Sequence, residues 1–97
     1  MGTHLKILGL VQGVGYRYNF QQRANALGLS GWVRNRVDGS VEAGLAGNPE
    51  AIKKLIEWAW RGPDGAQVKD IMMTEVDDGS IAPGKFEILA SSSRSAT

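Results

Sequence analysis

The chain has 97 residues, 42% hydrophobic and 22% charged, enough for one modest core and too few for two. A formal net charge of +1 argues against a dedicated nucleic-acid binder, and no apolar run approaches the ~20 residues that a membrane helix needs. With no cysteine, a disulfide framework, a thiolate metal site and a cysteine nucleophile are all excluded.

"MGTHLKILGL" passes directly into an alternating pattern with no small-residue cleavage site after it, so no secretory signal is expected and a cytoplasmic location is. Residues 4–11 carry Ile7, Leu8, Leu10 and Val11 and predict a strand buried on much of both faces. Residues 18–28 place Phe20, Ala24 and Leu27 on one stripe of a helix closed by Gly28. "SGWVRNRVDGSVEAGLAG" predicts two short strands around an Asp38-Gly39 turn, the second alternating Val41, Ala43 and Leu45. Asn48-Pro49 starts a second helix, with Ile52, Leu55, Ile56 and Ala59 on its buried face and "RGPDG" as its stop. Residues 67–77 read as a strand with Val68, Met72 and Val76 on one face and Ile71 and Met73 on the other; "KFEIL", residues 85–89, ends the pattern as a possible short fifth strand. The polar stretch 90–97 reads as a tail outside a single domain of residues 1–89.

This order, β-α-β-β-α-β, predicts the ferredoxin-like α+β sandwich: one antiparallel sheet with both helices on one face. A fold of this kind decides no function.

The segment "VQGVGYR", residues 11–17, lies between the first strand and the first helix. Amides at a helix start lack intrahelical partners and carry the positive end of the helix dipole. Those of Gly13, Val14, Gly15, Tyr16 and Arg17 are therefore candidates for a nest around a tetrahedral oxyanion, and the Arg17 guanidinium adds a planar fork of donors. A Walker loop would need Gly-Lys followed by Ser or Thr, and a dinucleotide fingerprint would need glycine where Tyr18 stands. Taken alone, two glycines and an arginine are better explained by a tight connection and a solvated helix residue.

"ILGLVQGVGYR" (7–17) and "GWVRNRVDGSVEAGLAG" (31–47) together resemble the two signature segments of the acylphosphatase family, in the right order and separation. "GPDGAQV" (62–68) and "KFEI" are similar to its later landmarks, so the resemblance covers residues 4–89. It implies hydrolysis of acyl phosphates to a carboxylate and inorganic phosphate, with Arg17 binding the phosphate and Asn35 orienting the attacking water. No metal and no cofactor are implied, the partners being the acyl phosphate and inorganic phosphate as product and inhibitor, and the enzyme being a monomer that binds neither nucleic acid nor membrane. Asn35 is expected on a strand beside the first strand, near the loop. Tyr16 stands where the family more often has phenylalanine, and its hydroxyl is expected at the loop, where it would alter affinity. Leu10 stands where a polar or basic residue is frequent.

An acyl phosphate carries a good leaving group, so positioning and electrostatic stabilisation suffice. The residue set agrees: one histidine and no acidic cluster beside the loop. His4, near a terminus, is expected to have a surface role, and Arg34 and Arg36 either steer the anionic substrate or are solvated. Trp58 and Trp60, two apart, cannot share a helix face, so one belongs at the core margin and the other in solvent. Asp77-Asp78-Gly79 reads as a turn. The competing reading is a noncatalytic anion- or RNA-binding module of the same fold, which lacks support from an aromatic-rich central strand or a basic excess.

Overall fold

The computed structural model describes residues 2–77, 81 and 84–91; the expectations for Asp78, Gly79 and residues 92–97 lie outside the described residues. The elements run β1 (Gly2–Leu10), α1 (Tyr16–Ala26), β2 (Ser30–Asn35), β3 (Val41–Ala46), α2 (Pro49–Arg61), β4 (Gln67–Val76) and β5 (Phe86–Ile88). They form one five-stranded sheet of order β4-β1-β3-β2-β5. The first four strands pair antiparallel, but β5 runs parallel to β2 at the edge, so the sheet is mixed rather than wholly antiparallel. No described helix is long and apolar enough to cross a membrane.

The period-2 pattern sends Leu5, Ile7, Val33, Val41, Ala43 and Leu45 to one face of the sheet, where they pack with Phe20 and Ala24 of α1 and Leu55 and Ala59 of α2. Helix α1 begins at Tyr16, two residues before the sequence pattern suggested, which places Arg17 in its first turn. It ends as expected at Gly28, where the Gly28 and Leu29 amides donate to the carbonyls of Asn25 and Ala24. At the start of α2 the Asn48 side chain accepts from the Glu50 amide at 2.8 Å and capped Pro49 follows, as read from the sequence. Trp58 packs against the core, while Trp60 is exposed.

The faces of β4 differ from the simple alternation. Leu8 pairs with Asp70 but Gly9 with Val68, so Lys69 is an extra residue bulged out of the ladder. The bulge shifts the parity, so Val68 and Ile71, expected on opposite faces, both pack against the core; Met72 and Met73, on opposite faces of this edge strand, are both exposed. Gly9 is required there, because a Cβ would lie 2.1 Å from the Gln67 carbonyl oxygen.

Candidate active site

The chain leaves β1 at Leu10 and enters α1 through residues 11–15. Val11 is buried, whereas Gly13 and Gly15 take left-handed torsions, with φ of 77° and 78°. A side chain there costs about 1–2 kcal/mol in backbone strain. Added Cβ atoms would meet nothing at Gly13 and only Asn19 Nδ2, at 3.5 Å, at Gly15, so the torsion rather than crowding against the protein demands glycine. The Asn19 amide and side chain both donate to the Gly15 carbonyl, at 3.1 and 2.9 Å, and fasten the loop to the helix.

Amides of residues 13–17 have no hydrogen-bond acceptor among the described residues, and no side chain caps the helix or adds an acidic group to its first turn. Arg17 is half-buried and likewise forms no ion pair or hydrogen bond among the described residues. The positive end of a helix thus coincides with a set of donors left unused by the fold.

Gly13, Gly15 and Arg17 line a pocket of about 180 Å³ together with Asn35. Buried Val11 and Tyr16 form its inner wall, and exposed Tyr18 and half-exposed Ile88 its outer one. Among the described residues no carboxylate lines it. A larger cleft, about 710 Å³, lies at the opposite end of the strands between α2 and β4; it is mostly apolar and gathers no comparable set of donors. Among the described residues no group of three His, Asp or Glu side chains could hold a metal ion.

Asn35 reaches the pocket because it ends the core-facing row Gly31, Val33, Asn35 of β2. Its Oδ1 is buried and accepts no hydrogen bond. The expected adjacency of β2 to β1 is not found: β3 lies between them. Instead the loop closes over the end of β3, and Gln12 Nε2 donates to the Arg36 carbonyl at 2.7 Å and the Ser40 carbonyl at 2.9 Å, at the base of the β2–β3 turn.

The Tyr16 hydroxyl does not lie at the loop mouth. It donates to the Ala59 carbonyl of α2 at 2.6 Å, and burial pushes its phenol pKa up. Val14 points away from the pocket and packs against the core.

Arg34 and Arg36 are not freely solvated. Both donate to Glu42 Oε1, at 2.9 and 3.1 Å, and His4 meets Glu42 Oε2 at 2.7 Å on the sheet face that carries no helix. Burial pushes the Glu42 carboxyl up, but the His4, Arg34 and Arg36 contacts together outweigh it and hold the pKa below the usual carboxylate value. Asp38 is held low as well, by the Ser40 hydroxyl and amide and by Lys6. The expected surface role of His4 is therefore a structural one, away from the pocket.

A family model described as acylphosphatase matches residues 3–88. The chain belongs to the acylphosphatase family. It is 57% identical over 67 residues to an acylphosphatase of Albidiferax ferrireducens, covering 69% of this chain and 73% of that protein. The crystal structure of acylphosphatase from Bacillus subtilis superposes with a TM-score of 0.83 at 34% identity, covering 91% of this chain and 97% of that one. Full-length HypF in its phosphate- and nucleotide-bound form also superposes, with a TM-score of 0.83 at 26% identity, over 93% of this chain but only 12% of that one. The acylphosphatase function and hydrolase class expected from the sequence stand, and the binding-module alternative finds no support in these likenesses.

Within this acylphosphatase fold, sequence reasoning missed Gln12, Val11, Tyr18 and Ile88. Gln12 and Val11 sit inside the quoted loop motif and Tyr18 directly after it, but Ile88 is brought in from the last strand by its parallel pairing with β2, for which no local signal exists.

Proposed function

We propose that the pocket between the 11–17 loop and Asn35 hydrolyses the carboxyl-phosphate bond of acyl phosphates. The observation that supports this most is that one small pocket is lined by Gly13, Gly15, Tyr16 and Arg17, whose amides and guanidinium are uncommitted among the described residues, and by Asn35, whose buried Oδ1 has no partner there. Burying Asn35 Oδ1 without a donor is costly unless a water or a ligand completes it, and the donors beside it stay open to one.

In this reading the amides of Gly13, Val14, Gly15, Tyr16 and Arg17, with the Arg17 side chain, hold the phosphoryl oxygens and balance charge in the transition state. Asn35 Oδ1 accepts a hydrogen bond from a water and aims its lone pair at phosphorus. The P–O bond to the carboxylate breaks as the water oxygen bonds to phosphorus, releasing the carboxylate with the bond's electron pair. An amide cannot take up the water proton, so the proton passes to a phosphoryl oxygen or to solvent. The carboxylate leaves without a general acid because it is already a stable anion.

Inorganic phosphate, as product, competes for the same cradle. We take the enzyme to be a cytoplasmic monomer, with residues 1–89 as the one domain that carries the reaction and 90–97 as a tail it does not use. The test is an assay in chelator comparing acetyl, benzoyl and carbamoyl phosphate with a simple phosphate monoester. Rapid cleavage of the anhydrides with the monoester ignored is expected; inertness toward all of them contradicts the proposal.

A further inference from the structure

The cradle and Asn35 belong to different elements that do not pair. Arg17 rides on α1 and Asn35 ends β2, while β1, which delivers the loop, is separated from β2 by β3. The loop's own shape is set locally, by the torsions of Gly13 and Gly15 and by the two Asn19 bonds to the Gly15 carbonyl. Nothing in that local set fixes the distance to Asn35.

Gln12 does. Its Nε2 spends both hydrogens on carbonyls that flank the β2–β3 turn, Arg36 at 2.7 Å and Ser40 at 2.9 Å. Arg36 directly follows Asn35, and its amide donates to the Ser40 carbonyl at 2.9 Å, so the two acceptors belong to one rigid rung. On the opposite face the Arg36 side chain donates to Glu42 Oε1 at 3.1 Å. From this we infer that Gln12 is a positioning residue: it sets the separation between the phosphate cradle and the water-orienting amide of Asn35, and touches neither phosphate nor water itself. This inference rests on the roles proposed above for Arg17 and Asn35.

A displaced attacking group is expensive even when binding is intact, since small misplacements from the near-attack geometry cost about 10²-fold in rate. Gln12→Leu keeps the side chain's bulk and removes both donors. It is expected to lower kcat by about tenfold to a hundredfold while leaving competitive inhibition by inorganic phosphate within about threefold, because the cradle is shaped without it.

The deciding experiment is the four-protein cycle of wild type, Gln12→Leu, Asn35→Ala and the double variant, with kcat on benzoyl phosphate and the inhibition constant of inorganic phosphate measured well below each melting temperature. If Gln12 acts through Asn35, the change at position 12 has almost no further effect once Asn35 is absent. Equal losses in both backgrounds, wild-type kcat in Gln12→Leu, or a parallel loss of phosphate affinity overturns the inference. Wild-type kcat in Asn35→Ala instead contradicts the proposed role of Asn35 and, with it, the route claimed for Gln12. Should Gln12→Leu fail to fold, Gln12→Asn, one methylene too short to span both carbonyls, takes its place in the cycle.

Discussion

The β2–β3 hairpin has two faces that treat polar groups in opposite ways. On the helix-free face, Glu42 is met by His4, Arg34 and Arg36, Lys6 reaches Asp38 at 3.2 Å, and the Arg34 guanidinium lies 5.2 Å from the centre of the Trp32 ring. Arg36 Nε, 3.9 Å from Asp38, is buried there without a hydrogen bond among the described residues. On the other face, at the end of the same strand, Asn35 Oδ1 has no donor and Arg17 no carboxylate among the described residues. A single strand alternates between them, Arg34 and Arg36 to one side and Asn35 to the other. Saturation serves stability, and the withheld partners mark where a ligand is to be bound.

If that contrast is right, substitutions on the two faces should fail in different assays. The largest effect is expected at Arg17. Arg17→Ala removes a charged donor from the cradle, and by comparison with a single oxyanion-hole donor it should cost about 3–4 kcal/mol, or roughly 10²–10³-fold in kcat/KM. Phosphate inhibition should weaken with it and the melting temperature should hardly move. Wild-type efficiency on benzoyl phosphate would remove Arg17 from the mechanism. Asn35→Ala sharpens the comparison, since it should lose turnover while inorganic phosphate still inhibits.

Glu42 should behave in the reverse manner. Its folded pKa is depressed, so its stabilisation is fully present above the unfolded value and is lost as the pH falls through the folded one. Glu42→Gln should destabilise the protein at neutral pH by about 1–3 kcal/mol, at the lower end because its arginine partners are a third exposed. The gap to wild type should close on acidification below about pH 4, where the unfolded carboxylate also protonates. A kcat that changes little per folded molecule, measured beside urea melts at two pH values, completes the check. A gap that persists at low pH would mean that packing, not charge, is what Glu42 supplies.

Periodicity made most of this legible before any coordinates. The Asp38-Gly39 and Asn48-Pro49 signals marked the turn and the second helix at their observed places, whereas Asn35 was singled out only by the family resemblance. What escaped was set by distant pairings. The Lys69 bulge moved Val68 and Ile71 to one face because β1 approaches β4 closely at Gly9. The Tyr16 hydroxyl went to Ala59, forty-three residues away, rather than to the loop. The pairing of Arg34 and Arg36 with Glu42 required the register of β2 against β3.

The central claim, that the unpartnered amides of residues 13–17 are kept for a phosphoryl group, is most directly tested by titrating inorganic phosphate into the isotope-labelled enzyme and following each backbone amide. Saturable shifts centred on Gly13 to Arg17, lost in Arg17→Ala and retained in Asn35→Ala, are predicted. Shifts that leave those five amides unmoved while phosphate still inhibits would contradict the account.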